Sequence, residues 1–520
     1  MPTFTLRRSL LPPLLATALT AGVTAAAVPA YAGPAADSTV VAKAAASLAH
    51  DLSDAGTVLG SYPDGKGNTI TYTDYGRTLD AAIALLAAGG HDETLGRALT
   101  SVEDPTAVAA YTQGAPGDKA DAAYAGATAK LAFVVAATGG DPTKAGGVDL
   151  IAQLTSLEQP DGRFADRSSY GSYANLFGHA LALLALKQAG QTVPGNVVQG
   201  LTSAQCPDGS FPESYPKANA TTCTGSVDAT GLVLQALAAV GQGSAKPASD
   251  ATAWLTGQQR ADGSFPGQAP VNSTGYAVAG LDAVSAPIGN ALTYLAGQQN
   301  ADGGLRNGSA GATATDDFAT SQALPALAGK TFAAGARTVA RQAVLDLSVT
   351  SIVATHAATV TVHAPAGSVV DLYAYSRPST AFSVVRTATV GSTGVVTWSV
   401  APLTNTRLYA QKQGGAPTPQ QVLGVATALS LNVARTGTRT YAFSGRSVPA
   451  RAGGLVISLY RSSDGVHQIL TAQTRADAKT GAWSLARAFS GTGRFTFVVR
   501  TGSDLQNAAG TSNTRSVLVS

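Results

Sequence analysis

Between about residues 37 and 330, apolar positions recur with a helical period, in Ala- and Leu-rich stretches separated by Gly, Asp and Asn. The pattern predicts twelve helices in two alternating sets. The first set covers residues 37–53, 92–104, 144–158, 195–205, 248–260 and 287–300. The second set covers residues 74–88, 120–138, 172–189, 226–240, 273–284 and 315–328. Because the second set is apolar on most faces, we expect it to form an inner ring that the amphipathic first set encloses.

A short motif recurs at the end of four of the outer segments. One copy consists of Leu201, Gln205, Asp208, Gly209 and Phe211. The other copies place Asp-Gly at positions 161–162, 262–263 and 302–303, with Glu158 replacing Gln in one of them. Asp can bond its own backbone in a turn and Gly can adopt positive φ. Four equivalent aspartates predict a structural turn, since a single active site does not need its acid copied around a ring.

From about residue 345 the periodicity changes to alternating β-branched positions, as in 359–363, 369–373 and 394–398. The pattern is duplicated: Leu372-Tyr373 returns at Leu459-Tyr460, and each copy has one central Trp. We therefore predict two tandem β-sandwiches, residues 341–427 and 428–520, which resemble bacterial immunoglobulin-like modules. Such modules are typical spacers or adhesion modules that contact the cell envelope.

The N-terminus has the features of a secretory signal over residues 1–32. Arg7-Arg8 precede an apolar stretch, and Ala30-Tyr31-Ala32 form a small-x-small cleavage site. A membrane anchor is the alternative, and the arginine pair leaves general and twin-arginine export both open. No later stretch approaches about 20 uninterrupted apolar residues. We expect a secreted protein, free or attached to the cell surface, without a transmembrane segment after signal removal.

Charge and cysteine content narrow the function classes. A net charge of +3 with 12% charged residues argues against nucleic-acid binding, which needs a clustered cationic face. Cys206 and Cys223 are the only cysteines, and in an oxidising compartment they predict one disulfide. The nearest histidine, His179, is not at zinc-ligand spacing, so we predict no metal site.

The Leu-x3-Gln-x2-Asp-Gly-x-Phe motif resembles the QW-type repeat of the squalene cyclase and protein prenyltransferase superfamily, whose terpenoid cyclase members share an (α/α)6 toroid. The resemblance covers about residues 37–335 and implies that fold for residues 33–340. The expected fold class is thus a multidomain chain, an all-α (α/α)6 toroid followed by two all-β immunoglobulin-like sandwiches.

A second, local resemblance concerns three segments, Ala319–Phe332, Asp74–Thr78 and Asn272–Gly275. They are similar to the helical domain of cobalamin carriers of the transcobalamin and intrinsic factor type. This resemblance implies cobalamin as one candidate ligand, while no cofactor is firmly implied. Those carriers close over the ligand with a small β-domain, whereas the tail of this chain is two longer repeats.

Enzymes built on such a ring need particular catalytic residues, and this chain lacks some of them. Class II terpene cyclases use an Asp-x-Asp-Asp acid, and the nearest segment here, Ala314-Thr315-Asp316-Asp317, lacks the first Asp. The zinc ligands of the prenyltransferases have no counterparts. These absences favour a protein that is not an enzyme. A polysaccharide lyase or glycosidase stays open, with Tyr173 and His179 as its candidate residues.

Polar side chains cluster where the inner helices are predicted to begin, which should be one mouth of the ring. The candidate ligand-binding residues are Asp74, Tyr75, Arg77, Tyr173, His179, Asp228, Tyr276, Asp316 and Asp317. The alternative for each is a helix cap, a packed aromatic ring or, for His179, a buried structural histidine. The leading hypothesis is a secreted or cell-surface protein that binds a small-molecule or carbohydrate ligand at this mouth. An enzyme on the same ring and a structural surface protein are the alternatives.

Overall fold

A computed structural model of the chain describes residues 35–114, 117–216, 222–379 and 381–520. The chain divides into two compact units, Met1–Gln342 and Ala343–Ser520. The predicted signal peptide, residues 1–32, lies outside the described residues. Within them, no helix is both long enough and apolar enough to cross a bilayer.

The first unit contains thirteen helices in its described part. They are α1 (Ser38–Asp51), α2 (Tyr75–Ala88), α3 (Asp92–Val102), α4 (Pro105–Thr112), α5 (Ala125–Ala137), α6 (Leu150–Thr155), α7 (Leu176–Gln188), α8 (Gly195–Thr202), α9 (Val227–Ala239), α10 (Lys246–Gly257), α11 (Pro270–Ala283), α12 (Ala291–Ala296) and α13 (Asp317–Leu327). Each of the twelve predicted helices has a counterpart among them, and α4 is additional.

Six of these helices form a closed inner ring. Helices α2, α5, α7, α9, α11 and α13 pack side by side in that order, and α13 packs against α2. Helices α1, α3, α4, α6, α8, α10 and α12 pack on the inner ones. The inner helices are the apolar set: α5 and α11 are each buried over almost their whole length. Because these helices are apolar on most faces and not amphipathic, they are buried on nearly all faces.

The repeated motif forms the turn that joins an outer helix to the next inner one. Asp208 Oδ1 accepts hydrogen bonds from the backbone N–H and hydroxyl of Ser210 at 3.0 and 2.6 Å. Asp262 bonds Ser264 in the same way. Gly209 has φ +91°, and a Cβ there would lie 2.7 Å from the Asp250 carbonyl oxygen. Glycine is therefore required both by the backbone angle and by the next outer helix.

The glutamine of the motif ties each turn to the following outer helix. Gln205 Nε2 donates to the carbonyl oxygens of Gly209 and Pro247 at 2.9 and 2.7 Å. In the last copy, Gln299 Nε2 donates to Gly303 O at 2.8 Å and to Val40 O of α1 at 2.9 Å. The glutamine at this motif position thus links each such turn to the next outer segment. In the last copy it joins the last turn to α1, the first helix.

The predicted fold class is wrong, and the first unit already departs from an all-α structure. Strands β1 (Leu59–Pro63) and β2 (Thr69–Thr73) form an antiparallel hairpin between α1 and α2. Its second strand, residues 69–73, is rich in β-branched residues, and the turn before it contains two glycines, Gly65 and Gly67, at positive φ. These are strand and turn signals that the helical period of the flanking segments does not reveal.

The second unit is built from β3 to β18. Their bounds are Val344–Leu347, Ser351–Val353, Ala358–His363, Val369–Ser376, Ser383–Thr389, Val395–Val400, Thr406–Lys412, Gln421–Ala426, Ala428–Leu429, Asn432–Gly437, Thr440–Val448, Val456–Ser462, Ile469–Arg475, Ala482–Ala488, Gly493–Arg500 and Arg515–Val519. Two apolar cores lie within it, one around Val360 and Leu372 and one around Phe443 and Phe497.

The immunoglobulin-like part of the fold prediction is corrected as well. The described strands of this unit form four sheets, ordered β3-β5-β8, β4-β10-β9-β6-β7, β11-β13-β12 with β16 on β13, and β15-β14-β17-β18. Strand β10 pairs with β4 in parallel. Period-two alternation identifies strands but not their partners, because pairing depends on contacts distant in sequence. The proposed boundary at residues 427/428 stays a prediction.

The predicted disulfide is confirmed. Cys206 and Cys223 are bonded, with Cα atoms 5.5 Å apart. The loop that they close includes the second repeat turn and carries Glu213 and Tyr215, which contact the α9 cap Ser226 and His179 of α7. Cross-linking this loop restricts the unfolded chain, which in the chain-entropy account stabilises the fold by about 3 kcal/mol.

Candidate functional site

The first turns of the inner helices meet at one end of the ring, and their caps explain why these helices begin where they do. Asp74 Oδ1 accepts from Arg77 N at 3.0 Å, and Asp316 Oδ1 accepts from Ala319 N at 2.9 Å. Asn175 and Ser226 cap α7 and α9 in the same way. Two of the predicted ligand-binding residues, Asp74 and Asp316, therefore use one carboxylate oxygen to satisfy helix N–H groups.

The half-exposed or exposed side chains at this end include six from the first two turns of four inner helices. We call these six the mouth: Tyr75, Arg77, Phe177, Asp228, Phe318 and Gln322. Below them lie Asn272 and Tyr276 of α11, which are 6% and 8% exposed. The predicted set thus supplies Tyr75, Arg77, Asp228 and Tyr276, while Phe177, Asn272, Phe318 and Gln322 complete the group.

Aromatic contacts connect the helices across the mouth. The Arg77 guanidinium carbon lies 5.7 Å from the centroid of the Phe318 ring. Phe177 and Tyr276 meet edge to face with centroids 6.1 Å apart, and Tyr75 lies 6.3 Å from Tyr111 of α4. A cation over an aromatic ring and an edge-to-face pair both fix the orientation of the rings at the mouth.

A side-chain amide pair crosses from α11 to α13. Asn272 Nδ2 donates to Gln322 Oε1 at 2.8 Å, and Gln322 Nε2 lies 3.5 Å from the Tyr276 hydroxyl. Asn272 Oδ1 is buried and has no hydrogen-bond partner among the described residues. A buried acceptor without a partner costs about 1–3 kcal/mol, which a ligand donor would relieve.

Asp228 is a mouth carboxyl whose pKa is raised. It lies in the first turn of α9 and forms a hydrogen bond with Ser273 of α11. Burial raises the pKa of Asp228 to about 6; the hydrogen bond from Ser273 opposes this rise, and the charge of Glu213 adds to it. A carboxyl that titrates near neutral pH can donate or accept a hydrogen bond, according to its protonation.

A buried ion pair lies deeper in the ring. Lys130 Nζ of α5 is 2.6 Å from Asp80 Oδ1 of α2, with side chains 5% and 13% exposed, and it also donates to Gly76 O at 3.0 Å. Burial raises the pKa of Asp80, and the Lys130 charge opposes that rise. Burial and the charges of Asp80 and Asp228 raise the pKa of Tyr276 well above 10, so its hydroxyl keeps its proton.

Asp317 has an acidic neighbour. It is half-buried and forms a hydrogen bond with Asp51 at the end of α1. Burial raises the pKa of Asp317, the Asp51 charge adds to the rise, and the Arg77 charge opposes it. Asp317 and Arg77 therefore lie on the same side of the mouth as Phe318.

His179 and Tyr173 are not among the mouth residues, although Tyr173 lies in the loop that leads into α7. His179 is 1% exposed, with Nε2 2.8 Å from Val197 O and Nδ1 2.8 Å from the Tyr215 hydroxyl. Because a carbonyl only accepts, Nε2 carries the proton and Nδ1 accepts from Tyr215. Burial lowers the pKa of His179 to about 3. Tyr173 is 53% exposed in the loop before α7.

Sequence reasoning did not single out Asp80, Lys130, Phe177, Tyr111 or Gln322 as site residues. A signal existed for two of them, because Lys130 is the only charged residue of α5 and Asp80 interrupts an apolar run of α2. Charges inside otherwise apolar helices need a partner. Tyr111 belongs to the helix that was not predicted, and its buried hydroxyl has no partner among the described residues.

A cavity of about 750 Å³ lies away from the mouth, beyond the C-terminal ends of α7 and α9. Its lining includes Lys187, Gln191, Val198, Gln199, Leu237 and Gln242. None of the predicted ligand-binding residues lines it.

No protein-family profile matches the chain. No curated protein matches it either. Solved structures do: the type II terpene cyclase MstE from Scytonema shares 16% identity over 56% of this chain and 96% of its own, with a TM-score of 0.41. A protein from Actinoplanes shares 17% identity over 56% of this chain and 99% of its own, with a TM-score of 0.40.

A tetra-tandem repeat from the extending region of a large adhesion protein shares 16% identity over 34% of this chain and 48% of its own, with a TM-score of 0.20. At these TM-scores and identities the likenesses carry no inference about activity. The resemblance to cobalamin carriers stays a prediction.

Proposed function

We propose that this chain is an extracellular binding protein that holds a small organic ligand at the mouth of its helical ring. The observation that carries the proposal is the group of half-exposed aromatic and hydrogen-bonding side chains from four inner helices at one end of the ring, together with Asn272 Oδ1, which has no partner in the described part of the chain. Binding sites combine apolar walls with a few placed polar groups. The signal-like N-terminus and the disulfide support a location outside the cytoplasm.

The chemistry of the mouth defines the ligand class. Phe177, Phe318 and Tyr75 offer apolar ring faces, and Asp228, Gln322 and Arg77 offer hydrogen bonds. A ligand with one apolar face and several hydroxyl or amide groups satisfies both. Carbohydrates have this character. Cobalamin is the second candidate, since the three segments that resemble its carriers include Arg77, Asn272 and Gln322.

The test is a pair of titrations with matched variants. Neutral oligosaccharides are titrated by calorimetry and cobalamin by its visible spectrum, each against the wild type, Gln322→Ala and Gln191→Ala. Both glutamines are half-exposed, but Gln191 lines the cavity beyond the C-terminal end of α7. Loss of one direct hydrogen bond should weaken binding about tenfold in Gln322→Ala only. Equal affinities in both variants would place the ligand outside the mouth.

A second candidate function is an enzyme that acts on the same ligand, and the pKa of Asp228 favours it. A carboxyl with a pKa of about 6 can serve as a general acid near neutral pH. In that case Asp228→Asn abolishes turnover while binding persists, because the amide keeps the hydrogen-bonding capacity. If Asp228→Asn weakens binding and no product forms with the wild type, the non-catalytic function is favoured.

A further inference from the structure

Large exposed apolar side chains are concentrated near the mouth. Among the described residues of the first unit they are Leu59, Tyr62, Ile70, Tyr72, Tyr170, Tyr173 and Phe318. All of them lie in the hairpin before α2, the loop before α7 or the first turn of α13. Large apolar groups confined to one part of a surface mark an interaction site.

The hairpin is attached directly to the mouth. Asp74 N donates to Val58 O at 2.9 Å, and Val58 N donates to Thr78 Oγ1 at 3.0 Å, so both ends of the hairpin are tied to the start of α2. A two-stranded hairpin without a covered face is marginally stable by itself. These bonds to α2 hold its base in place beside Tyr75 and Arg77.

One face of the hairpin forms an aromatic platform. The register pairs Gly60 with Tyr72 and Tyr62 with Ile70, which places Tyr62, Ile70 and Tyr72 on one face. A Cβ on Gly60 would lie 2.4 Å from the Tyr72 ring, so glycine lets that ring lie against the strand. The two tyrosine rings are 6.0 Å apart, and the residues are 51% and 42% exposed.

A second pair of exposed tyrosines lies in the loop before α7. Tyr170 is 45% exposed and Tyr173 is 53% exposed. Asp166 holds the loop by accepting from Ala125 N at 2.8 Å and from Tyr173 N at 2.7 Å. Asp118 accepts from Ser169 N at 2.7 Å and from the Ser168 hydroxyl at 2.6 Å. The loop therefore presents its tyrosines from a hydrogen-bonded frame.

The low charge of the hairpin and of the loop before α7 indicates which class of ligand they can bind. Residues 59–73 contain only Asp64 and Lys66 as charged residues, and residues 168–175 contain none. An acidic polymer or an anionic membrane would need clustered cations, which are absent from both segments. Tyrosine rings accompanied by Ser, Thr and Asn suit pyranose rings, whose C–H faces pack on aromatic rings and whose hydroxyls form hydrogen bonds.

We propose that the two tyrosine pairs are subsites for a neutral polysaccharide chain whose end or side group enters the mouth. This inference rests on the proposed ligand site and names its ligand class. A polymer contacts both the tyrosines and the mouth, whereas a short sugar needs the mouth alone. The tyrosine pairs therefore increase the affinity for long chains without a change in affinity for short ones.

The experiment is affinity electrophoresis of the full chain in acidic native gels that contain hydroxyethyl cellulose, mixed-linkage β-glucan, galactomannan or dextran. We expect retardation in at least one gel. The dissociation constant should rise about tenfold in Tyr62→Ala/Tyr72→Ala and in Tyr170→Ala/Tyr173→Ala, as expected for truncated aromatic anchors. The Tyr→Phe pairs keep the rings and should retain most of the retardation.

Thr71→Ala is the matched control, because Thr71 lies on the opposite face of the same hairpin. Thermal unfolding of each variant shows whether the fold is kept. The proposal is overturned if no neutral gel retards the wild type, or if the tyrosine pairs change nothing. It is also overturned if the chain binds heparin or phosphatidylglycerol vesicles through these tyrosines in place of neutral glycans.

The same variants separate this proposal from the ligand site itself. If Gln322→Ala weakens a short ligand but no gel retards the wild type, the mouth function stands and the polysaccharide inference fails. If retardation depends on the tyrosines and no short ligand binds at the mouth, the mouth function fails.

Discussion

At the scale of single residues, the ionised Asp228 carboxyl lowers the free energy of unfolding, because it is partly buried at the mouth. Its pKa is about 6 in the fold and 3.8 in the reference state, so the folded chain binds this proton more tightly. The resulting stabilisation is complete below pH 3.8 and is lost as the pH rises through 6. Residues that reduce stability at neutral pH are common at functional sites.

Replacing this carboxyl should therefore stabilise the protein. We expect Asp228→Asn to raise the free energy of unfolding of the first unit by about 1–2 kcal/mol at pH 7.5, and by much less at pH 4. Urea unfolding followed by helical circular dichroism measures the difference. Asp121→Asn, at a side chain 67% exposed, is the control and should give no such gain. An equal effect at both pH values would show that Asp228 does not titrate as described.

His179 should show the opposite pH dependence. Its pKa is about 3 in the fold and 6.5 in the reference state, so the unfolded chain binds the proton more tightly. Its contribution is complete above pH 6.5 and is lost as the pH falls towards 3.

Removing its ring should be costly at neutral pH. We expect His179→Ala to lower the free energy of unfolding by about 3 kcal/mol at pH 7, because Val197 O and the Tyr215 hydroxyl lose their partner in a buried place. The loss should shrink at pH 4.5. Tyr215→Phe, which removes one of the two bonds, should cost about 1 kcal/mol. Equal losses at both pH values would contradict a neutral structural histidine.

At the scale of elements, the repeat turn is a unit of construction with a fixed set of bonds. The aspartate closes the turn, the glycine makes room for the next outer helix, and the glutamine bonds two carbonyls that no other side chain reaches in the described structure. A threonine of the following inner helix completes it, as where Phe211 N donates to Thr230 Oγ1 at 2.9 Å.

Because the bonds are equivalent, equivalent mutations should have similar costs. We expect Gln205→Ala, Gln259→Ala and Gln299→Ala each to lower the free energy of unfolding by about 2 kcal/mol, since each leaves two carbonyl oxygens without their donor. Gln199→Ala, at an exposed glutamine of α8, is the control. A large loss at one position alone would mean that the copies are not equivalent.

At the scale of the whole molecule, the two compact units have separate sources of stability. Among the described residues, the first unit has a single apolar core within the helical ring, and the second has two smaller cores. The disulfide lies in the first unit, and the second unit contains no cysteine.

Reduction should therefore affect one unit only. We expect the Cys206→Ser/Cys223→Ser variant to lose about 3 kcal/mol in the unfolding of the first unit, while the transition of the second unit keeps its midpoint. Scanning calorimetry with helical circular dichroism assigns the transitions. Wild-type protein in reducing buffer is a second route to the same state. A shift of both transitions by the same amount would contradict separate unfolding.

The sequence by itself determined the local structure. Apolar periodicity located the twelve helices. A buried inner helix must be apolar on most faces, and α5 and α7 have this character. Asp-Gly spacing located the turns because only glycine tolerates their φ. The two cysteines sufficed for the disulfide. The helical pattern also places Asp74, Tyr75, Arg77 and Asp228 at the starts of inner helices, where the structure has them.

Only the tertiary structure decided which strands pair and which side chains from different elements lie close together. The sheet order of the second unit depends on pairings between strands that are distant in sequence, which no local period encodes. The partners of Asp80 and His179 come from other helices and, for Tyr215, from a loop, and burial by these elements shifts their pKa values. Phe177, Asn272 and Gln322 become a group because ring closure brings α7, α11 and α13 together, a consequence of packing rather than of spacing along the chain.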